Sequence, residues 1–483
     1  MTREADRLPP GPSAIDSLRY LAQFRSGDMQ AYERLFARYG DVVRLHCPGH
    51  EDVVLAFHPD DIHHILCENH RNYPKGKRYH ELIPVLGKGL VNSEGELWRR
   101  QRRLVQGQFS SRGTLGLIPL INRHVSALLR EWDRREGRFE RDLNDDMLDL
   151  SFNIAGEAFF GTALREHTGV IRESFKYALS VALRRMYSPL PLPLAWPLPS
   201  HRRFAAAMQQ IHAVIDGIIL GYRQTDSSAS NVLVQLMNAT DPETGERMSH
   251  EQLRDEIKTI LMVGHETSSV TAAWSLYLLA KHPEQRARLV SEIDSVLGGR
   301  EPGNEELERM PYLDMVFREC LRCLPSVPFI LRSPLADDVL GKYRVKAGST
   351  VAIAPWVTHR HPDFWPDPLR FDPERFGPER KGTRHRLAYL PFGAGQRICL
   401  GEFMGEVEGK IILARLLQRY ELELVPGREP TCRGFISLQP VGGIPMWCKR
   451  REGAATARQH GDEKTRDEKT SAPRRNLEQE QWT

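Results

Sequence analysis

One of the seven cysteines in this 483-residue chain, Cys399, stands where thiol chemistry is favoured. The segment Phe392-Gly393-Ala394-Gly395-Gln396-Arg397-Ile398-Cys399-Leu400-Gly401 brings two glycines, an arginine and that cysteine to the start of a helical pattern. The glycines let the backbone fold closely over a flat ligand. A thiolate at a helix start is stabilised by free amides and by the positive end of the helix dipole, which suits it to ligate a metal. The other six cysteines, at 47, 67, 320, 323, 432 and 448, are scattered and leave the total odd, which is no disulfide framework, so reduced thiols are expected. Cys320 and Cys323 have a metal-like spacing but lack a second pair or a histidine cluster, and they read as core packing.

Three further segments carry charge or hydrogen-bonding groups inside helical patterns. Val263-Gly264-His265-Glu266-Thr267-Ser268 sets an acid beside an alcohol in an apolar run, with Gly264 weakening the helix where a groove or local bulge is expected. Glu319 and Arg322 lie three apart on one helix face, a spacing that on a solvated helix is worth only tenths of a kcal/mol. Trp98 and Arg102, four apart, share a face and can offer indole and guanidinium donors to carboxylates together.

These segments resemble the cytochrome P-450 family of haem-thiolate monooxygenases, whose ligand loop reads Phe-x-x-Gly-x-Arg-x-Cys-x-Gly; every fixed position is met. A chance match in a chain of this length has a probability on the order of 10⁻⁴. The resemblance spans about 8–449. It implies that Cys399 is the proximal iron ligand of haem b, its sulfur favouring O–O cleavage. It also implies that Arg397, Trp98, Arg102 and Arg332 meet the haem propionates, with Phe392 and Gly393 in the cofactor-binding loop. Glu266 and Thr267 are then the groups that relay protons to bound oxygen. Val263 stands where the family usually has Ala or Gly, narrowing access near the iron. Pro373-Glu374-Arg375-Phe376 resembles the family's meander, which casts Glu319, Arg322 and Arg375 as a buried lock supporting the haem loop.

The elements that must position these residues are mainly helical. Val42-Val43-Arg44-Leu45 and 53–57 read as strands, and 94–297 as continuous helical territory. Within it, the pattern from Ser249, capped with Gln252, runs to about Lys281 and predicts a central rod on the order of 45 Å long. The proline-rich stretch 189–199 cannot be helical and is a stiff apolar connection or a lid. Strands return at 343–345, 351–354, 421–425 and 444–447. The expected fold is therefore mainly α with a minor β-sheet region, the cytochrome P-450 fold with its long central helix over the haem. Residues 1–452 are expected to form one domain and 453–483 a polar, disordered tail.

Lys plus Arg total 67 against 63 for Asp plus Glu, a net charge of +4 that argues against a nucleic-acid partner. With neither a signal peptide nor a long uninterrupted apolar run, the chain is expected to be cytoplasmic, monomeric and without a transmembrane segment. The resemblance implies O2 as co-substrate and NAD(P)H as indirect electron source, through a ferredoxin and its reductase or a flavodoxin-type donor. By the same resemblance, the regions 79–90, 261–263 and 327–331, the two helices around the proline-rich connection and the turn near Phe435 should line a cavity for a lipophilic molecule such as a terpenoid, fatty acid or steroid. Rival readings are a haem-thiolate isomerase, a peroxygenase, or a non-catalytic haem-binding sensor.

Overall fold

The structure, a computed structural model, describes residues 7–46, 48, 51–161, 168–186, 188, 191–224, 231–380, 382 and 384–452. The expected tail 453–483, together with Pro189 and Leu190 of the proline-rich connection, lies outside the described residues. The helices that frame the interior are α1 (Gly95–Gln106), α2 (Leu143–Phe160), α3 (Thr168–Met186), α4 (Pro199–Gln224), α5 (His250–Lys281), α6 (Pro311–Cys323) and α7 (Glu402–Arg419).

Helix α5 runs unbroken for 32 residues, its first turn capped by Ser249 Oγ, which accepts the Gln252 N–H at 3.1 Å. It is buried along most of its length against α2, α6 and α7, as a helix apolar on nearly all sides must be. Gly264 causes no bulge. A Cβ there would lie 3.0 Å from the Phe159 ring of α2, so the glycine makes room for a neighbouring helix. Thr267, Thr271 and Ser275 each return their hydroxyl to the carbonyl four residues back, which satisfies these alcohols inside the core.

The strands are β1 (Val42–Leu45), β2 (Val53–Ala56), β3 (Arg138–Asp142), β4 (Ile330–Arg332), β5 (Asp338–Leu340), β6 (Tyr343–Val345), β7 (Thr350–Ile353), β8 (Tyr420–Leu424), β9 (Thr431–Gly434), β10 (Leu438–Val441) and β11 (Pro445–Arg450). A four-stranded sheet has the order β1-β2-β7-β4, with β2 parallel to β7 in the register Val53↔Thr350 and its other pairs antiparallel. β5 and β6 form a hairpin, as do β9 and β10. A third sheet, β3-β11-β8, corrects the reading of 94–297 as helix throughout: Arg138–Asp142 pairs with β11, Phe139 opposite Cys448. Four of its five residues are polar or charged, so its strand character comes from a partner about 300 residues away and not from local pattern.

The described part of the proline-rich connection is non-helical, as expected, and leaves Leu192 and Trp196 exposed. Pro199 then opens α4. The stretch Pro199–Arg223 is long and apolar enough to cross a membrane, with a mean hydropathy of 1.3, yet it packs against α3 and α5.

Candidate active site

A cavity of about 400 Å³ lies between α5 and the loop that precedes α7. Its walls are largely apolar, among them Leu82, Leu90, Val105, Phe159, Met262 and Val263. The resemblance placed much of this lining, the turn near Phe435 included, where Ile436 reaches the cavity, with one correction. Leu261 is turned to a separate packing site among Phe160, Ile215 and Ile257. A one-residue shift on a helix or strand changes which face a side chain occupies.

The loop from Phe392 to Gly401 is fixed by its glycines and by short backbone bonds. Gly393 and Gly395 have φ of +74° and +69°, conformations that side-chain-bearing residues rarely adopt. The Cys399 N–H donates to the Phe392 carbonyl at 3.0 Å, and Ile398 N–H to Gly395 at 3.1 Å, closing the loop before α7 starts at Glu402. Cys399 lines this cavity, accessible yet set among protein atoms. Burial raises its pKa; a hydrogen bond from the Gly401 N–H and the nearby Arg102 act the other way.

Four cations line the same cavity: Lys75, Arg102, Arg332 and Arg397. Arg397 pairs with Glu94, and its guanidinium lies 4.2 Å from the Trp98 ring centroid. Arg102 donates to the Ile398 carbonyl at 2.9 Å and Arg332 to its neighbour Leu331 at 2.8 Å. Burial lowers the pKa of all three arginines, that of Arg397 to about 10. Burial, with Arg397 and Arg332 alongside, pushes Lys75 well below an ordinary lysine. Lys75 was missed by sequence reasoning; nothing local marks a lysine 23 residues before Trp98 as its companion.

The Arg397 Nη1 atom is buried without a partner. Gly393, Gly401 and Gly405 line the cavity, and a Cβ on any of them would make only ordinary van der Waals contacts, at 3.7–4.0 Å. Clustered cations, an unpartnered donor, a glycine-lined floor and a thiol fit a flat, metal-bearing group that carries carboxylates.

Of the two helix residues read as proton carriers, Thr267 lines the cavity and Glu266 does not. The Glu266 carboxylate is held by Ser437 at 2.6 Å and Gln439 at 2.8 Å, turned toward β10. The pair is adjacent in sequence, but adjacent helical positions diverge by about 100°.

Below the loop, Glu319 accepts from Arg322 at 2.7 and 2.8 Å and from the Asp372 N–H at 2.8 Å, with Arg375 at 3.5 Å. Arg322 also donates to the carbonyls of His359, Pro368 and Arg370, so α6 and the 366–375 segment are tied through one buried carboxylate. Cys320 is buried in the core, and burial pushes the Cys323 thiol up to about 12. Among the described residues no group of metal-binding side chains surrounds either.

Helical layers around a long buried rod, with a thiol facing a cation-walled apolar cavity, define a haem-thiolate oxygenase. A family model described as Cytochrome P450 matches residues 9–440. The crystal structure of the cytochrome P450DA heme domain superposes with a TM-score of 0.85 at 26% identity, covering 92% of this chain and 98% of that one. Cyclooctatin synthase of Streptomyces melanosporofaciens is 34% identical over 412 residues, 84% of this chain and 89% of that protein. Cyclooctat-9-en-7-ol 5-monooxygenase of the same organism is 31% identical over 414 residues, covering 86% and 89%. The chain belongs to the cytochrome P450 family and is a monooxygenase of it.

Proposed function

We propose that this enzyme inserts one oxygen atom from O2 into a lipophilic small molecule, with a terpenoid as the favoured substrate class. The observation that carries the reading is Cys399 lining a largely apolar cavity that four cations also line. Terpenoids are favoured over fatty acids and steroids because both Streptomyces relatives are terpenoid-related and one acts on an alcohol, cyclooctat-9-en-7-ol. Residues 1–452 act as one monomeric cytoplasmic domain, with electrons from NAD(P)H reaching it through a ferredoxin and its reductase or a flavodoxin-type donor.

Haem b, when bound, supplies the activation of dioxygen. Cys399 is its ligand, and Trp98, Arg102, Arg332, Arg397 and Lys75 hold its carboxylates, with Phe392 and Gly393 shaping the loop against it. The apolar lining excludes water and orients the substrate by shape. Thr267, its hydroxyl bonded to the Val263 carbonyl at 2.9 Å, holds a proton at the cavity wall. Glu266 exchanges protons with the Ser437–Gln439 side and supplies that threonine through water.

The test is the reduced carbon monoxide complex. A red-shifted Soret band that Cys399→Ser abolishes supports the assignment; an imidazole-type spectrum in the wild type refutes it. A screen of terpenoids, fatty acids and steroids, read by the ferric spin-state shift and then by products, decides the substrate class. Product formed with peroxide but not with reduced nicotinamide and a redox chain would favour a peroxygenase.

A further inference from the structure

Leu90 and Val91 form part of the cavity wall, yet three of the side chains that hold their segment, Gln101, Asp255 and Glu256, do not line the cavity. On α5, Asp255 accepts the Lys88 N–H at 2.8 Å and Glu256 Oε2 accepts the Leu90 N–H at 3.0 Å. On α1, Gln101 donates to the Lys88 carbonyl at 2.7 Å. Two glycines let the segment lie this close to α5. A Cβ on Gly87 would be 2.0 Å from the Asp255 carboxyl group, and one on Gly89 would be 2.2 Å from Thr259 Oγ1. Asp255 also pairs with Lys258 at 2.9 Å. Glu256 is fully buried, and its second oxygen, Oε1, has no partner. Burial pushes it up to about 8, against the Leu90 N–H, so at neutral pH it is an uncharged carboxyl. Such a buried acid is costly where a leucine would fill the same volume, and the bond it makes goes to the cavity wall.

We propose that Glu256, with Asp255 beside it, is a positioning residue that sets the selectivity of the cavity by fixing Leu90 and Val91 through their backbone. This rests on the haem-thiolate reading for the ligands the cavity takes, and on the hydrogen bonds alone for the wall. Neither acid touches a substrate. A bulky apolar molecule packs on Leu90 and Val91 without first having to order them, which favours molecules that fill the space over small ones. With the acceptor gone, the Leu90 N–H is stranded in a buried setting, and the segment must shift or fray until that group finds another partner. Any ligand that leans on the wall then bears the cost of ordering it. One that does not reach the wall is unaffected.

Leucine and glutamine at this position separate the hydrogen bond from the rest. Glu256→Leu fills a similar volume without an acceptor, and Glu256→Gln restores an uncharged acceptor oxygen. Two azoles read the wall in the holoenzyme: imidazole, which needs only the iron, and clotrimazole, whose aryl rings must pack against the cavity lining. Glu256→Leu should bind clotrimazole about 10-fold more weakly with imidazole affinity and the red-shifted carbon monoxide band unchanged, and its Leu90 amide should exchange about 10-fold faster. Glu256→Gln should restore both. A residue that only supports the fold would weaken the two azoles together or neither. An unchanged ratio of the two affinities in Glu256→Leu, or a glutamine variant as impaired as the leucine one, overturns the proposal. Should Glu256→Leu fail to fold, two other measurements decide. The Lys88 and Leu90 amides of the wild type should exchange slowly, and Leu90→Ala should weaken clotrimazole but not imidazole; fast exchange, or an unchanged clotrimazole affinity, overturns it. Absence of the red-shifted band in the wild type removes the haem-thiolate reading and leaves the amide result standing.

Discussion

Gly395→Ala, compared with Gly427→Ala, measures how tightly the ligand loop is set. Both glycines have positive φ, +69° and +75°, so each variant carries the left-handed penalty of about 1–2 kcal/mol. Their surroundings differ. A Cβ at Gly427 meets nothing within 4 Å, whereas one at Gly395 would lie 2.0 Å from the Leu66 carbonyl oxygen and 2.9 Å from its carbonyl carbon. Ordinary contact needs about 3.5 Å, so loop and turn must part by about 1–1.5 Å. Leu66 sits in the π-helical turn His64–Glu68, and the clashing atoms are backbone, which no rotamer change relieves. Overpacking of this kind adds about 1–3 kcal/mol. Gly427→Ala should therefore lose about 1–2 kcal/mol in urea unfolding and keep its carbon monoxide spectrum. Gly395→Ala should lose about 2–5 kcal/mol and, with Cys399 four residues on, much of the red-shifted band. Equal losses and equal spectra would refute a loop seated on Leu66.

Glu319→Ala should cost about 3–5 kcal/mol and shed cofactor, because it strands Arg322, which is fully buried with the acid it pairs; an unfolding midpoint within experimental scatter of wild type would contradict the lock. Burial pushes Glu256 up to about 8 from 4.5, so between those values the native state keeps a proton that the unfolded chain releases. Stability should then fall as pH rises from 5 to 8, by up to about 1.4 kcal/mol per unit, and Glu256→Gln should flatten that slope in thermal melts at several pH values. An identical slope in the variant would exclude Glu256 as its source.

The cysteine loop was legible because its constraints are local. Positive-φ glycines, a thiol and a helix start lie within ten consecutive residues, so spacing alone encodes most of the geometry. The central helix and the Glu319–Arg322 pair were legible for the same reason, through cap and period. Lys75, β3 and the outward turn of Glu266 were not, since each depends on contacts across the fold: Lys75 on Arg332 and Arg397, β3 on β11, and Glu266 on Ser437 and Gln439.

The charge distribution in the cavity joins folding to cofactor capture. Lys75, Arg332 and Arg397 repel one another in a buried setting, with Glu94 their carboxylate partner there. Burial and mutual repulsion already bias Lys75 toward losing its proton, and the Arg397 Nη1 donor is unmatched. A group bringing carboxylates to this wall removes the repulsion and satisfies the donor, so binding and native stability rise together by mass action. The cations would hold the carboxylate-bearing edge of such a group, and Cys399, on the same cavity, would ligate its metal. Orientation comes from one set of residues and reactivity from another. Weakening the cation wall should loosen cofactor retention before it alters the thiolate spectrum of whatever fraction remains bound.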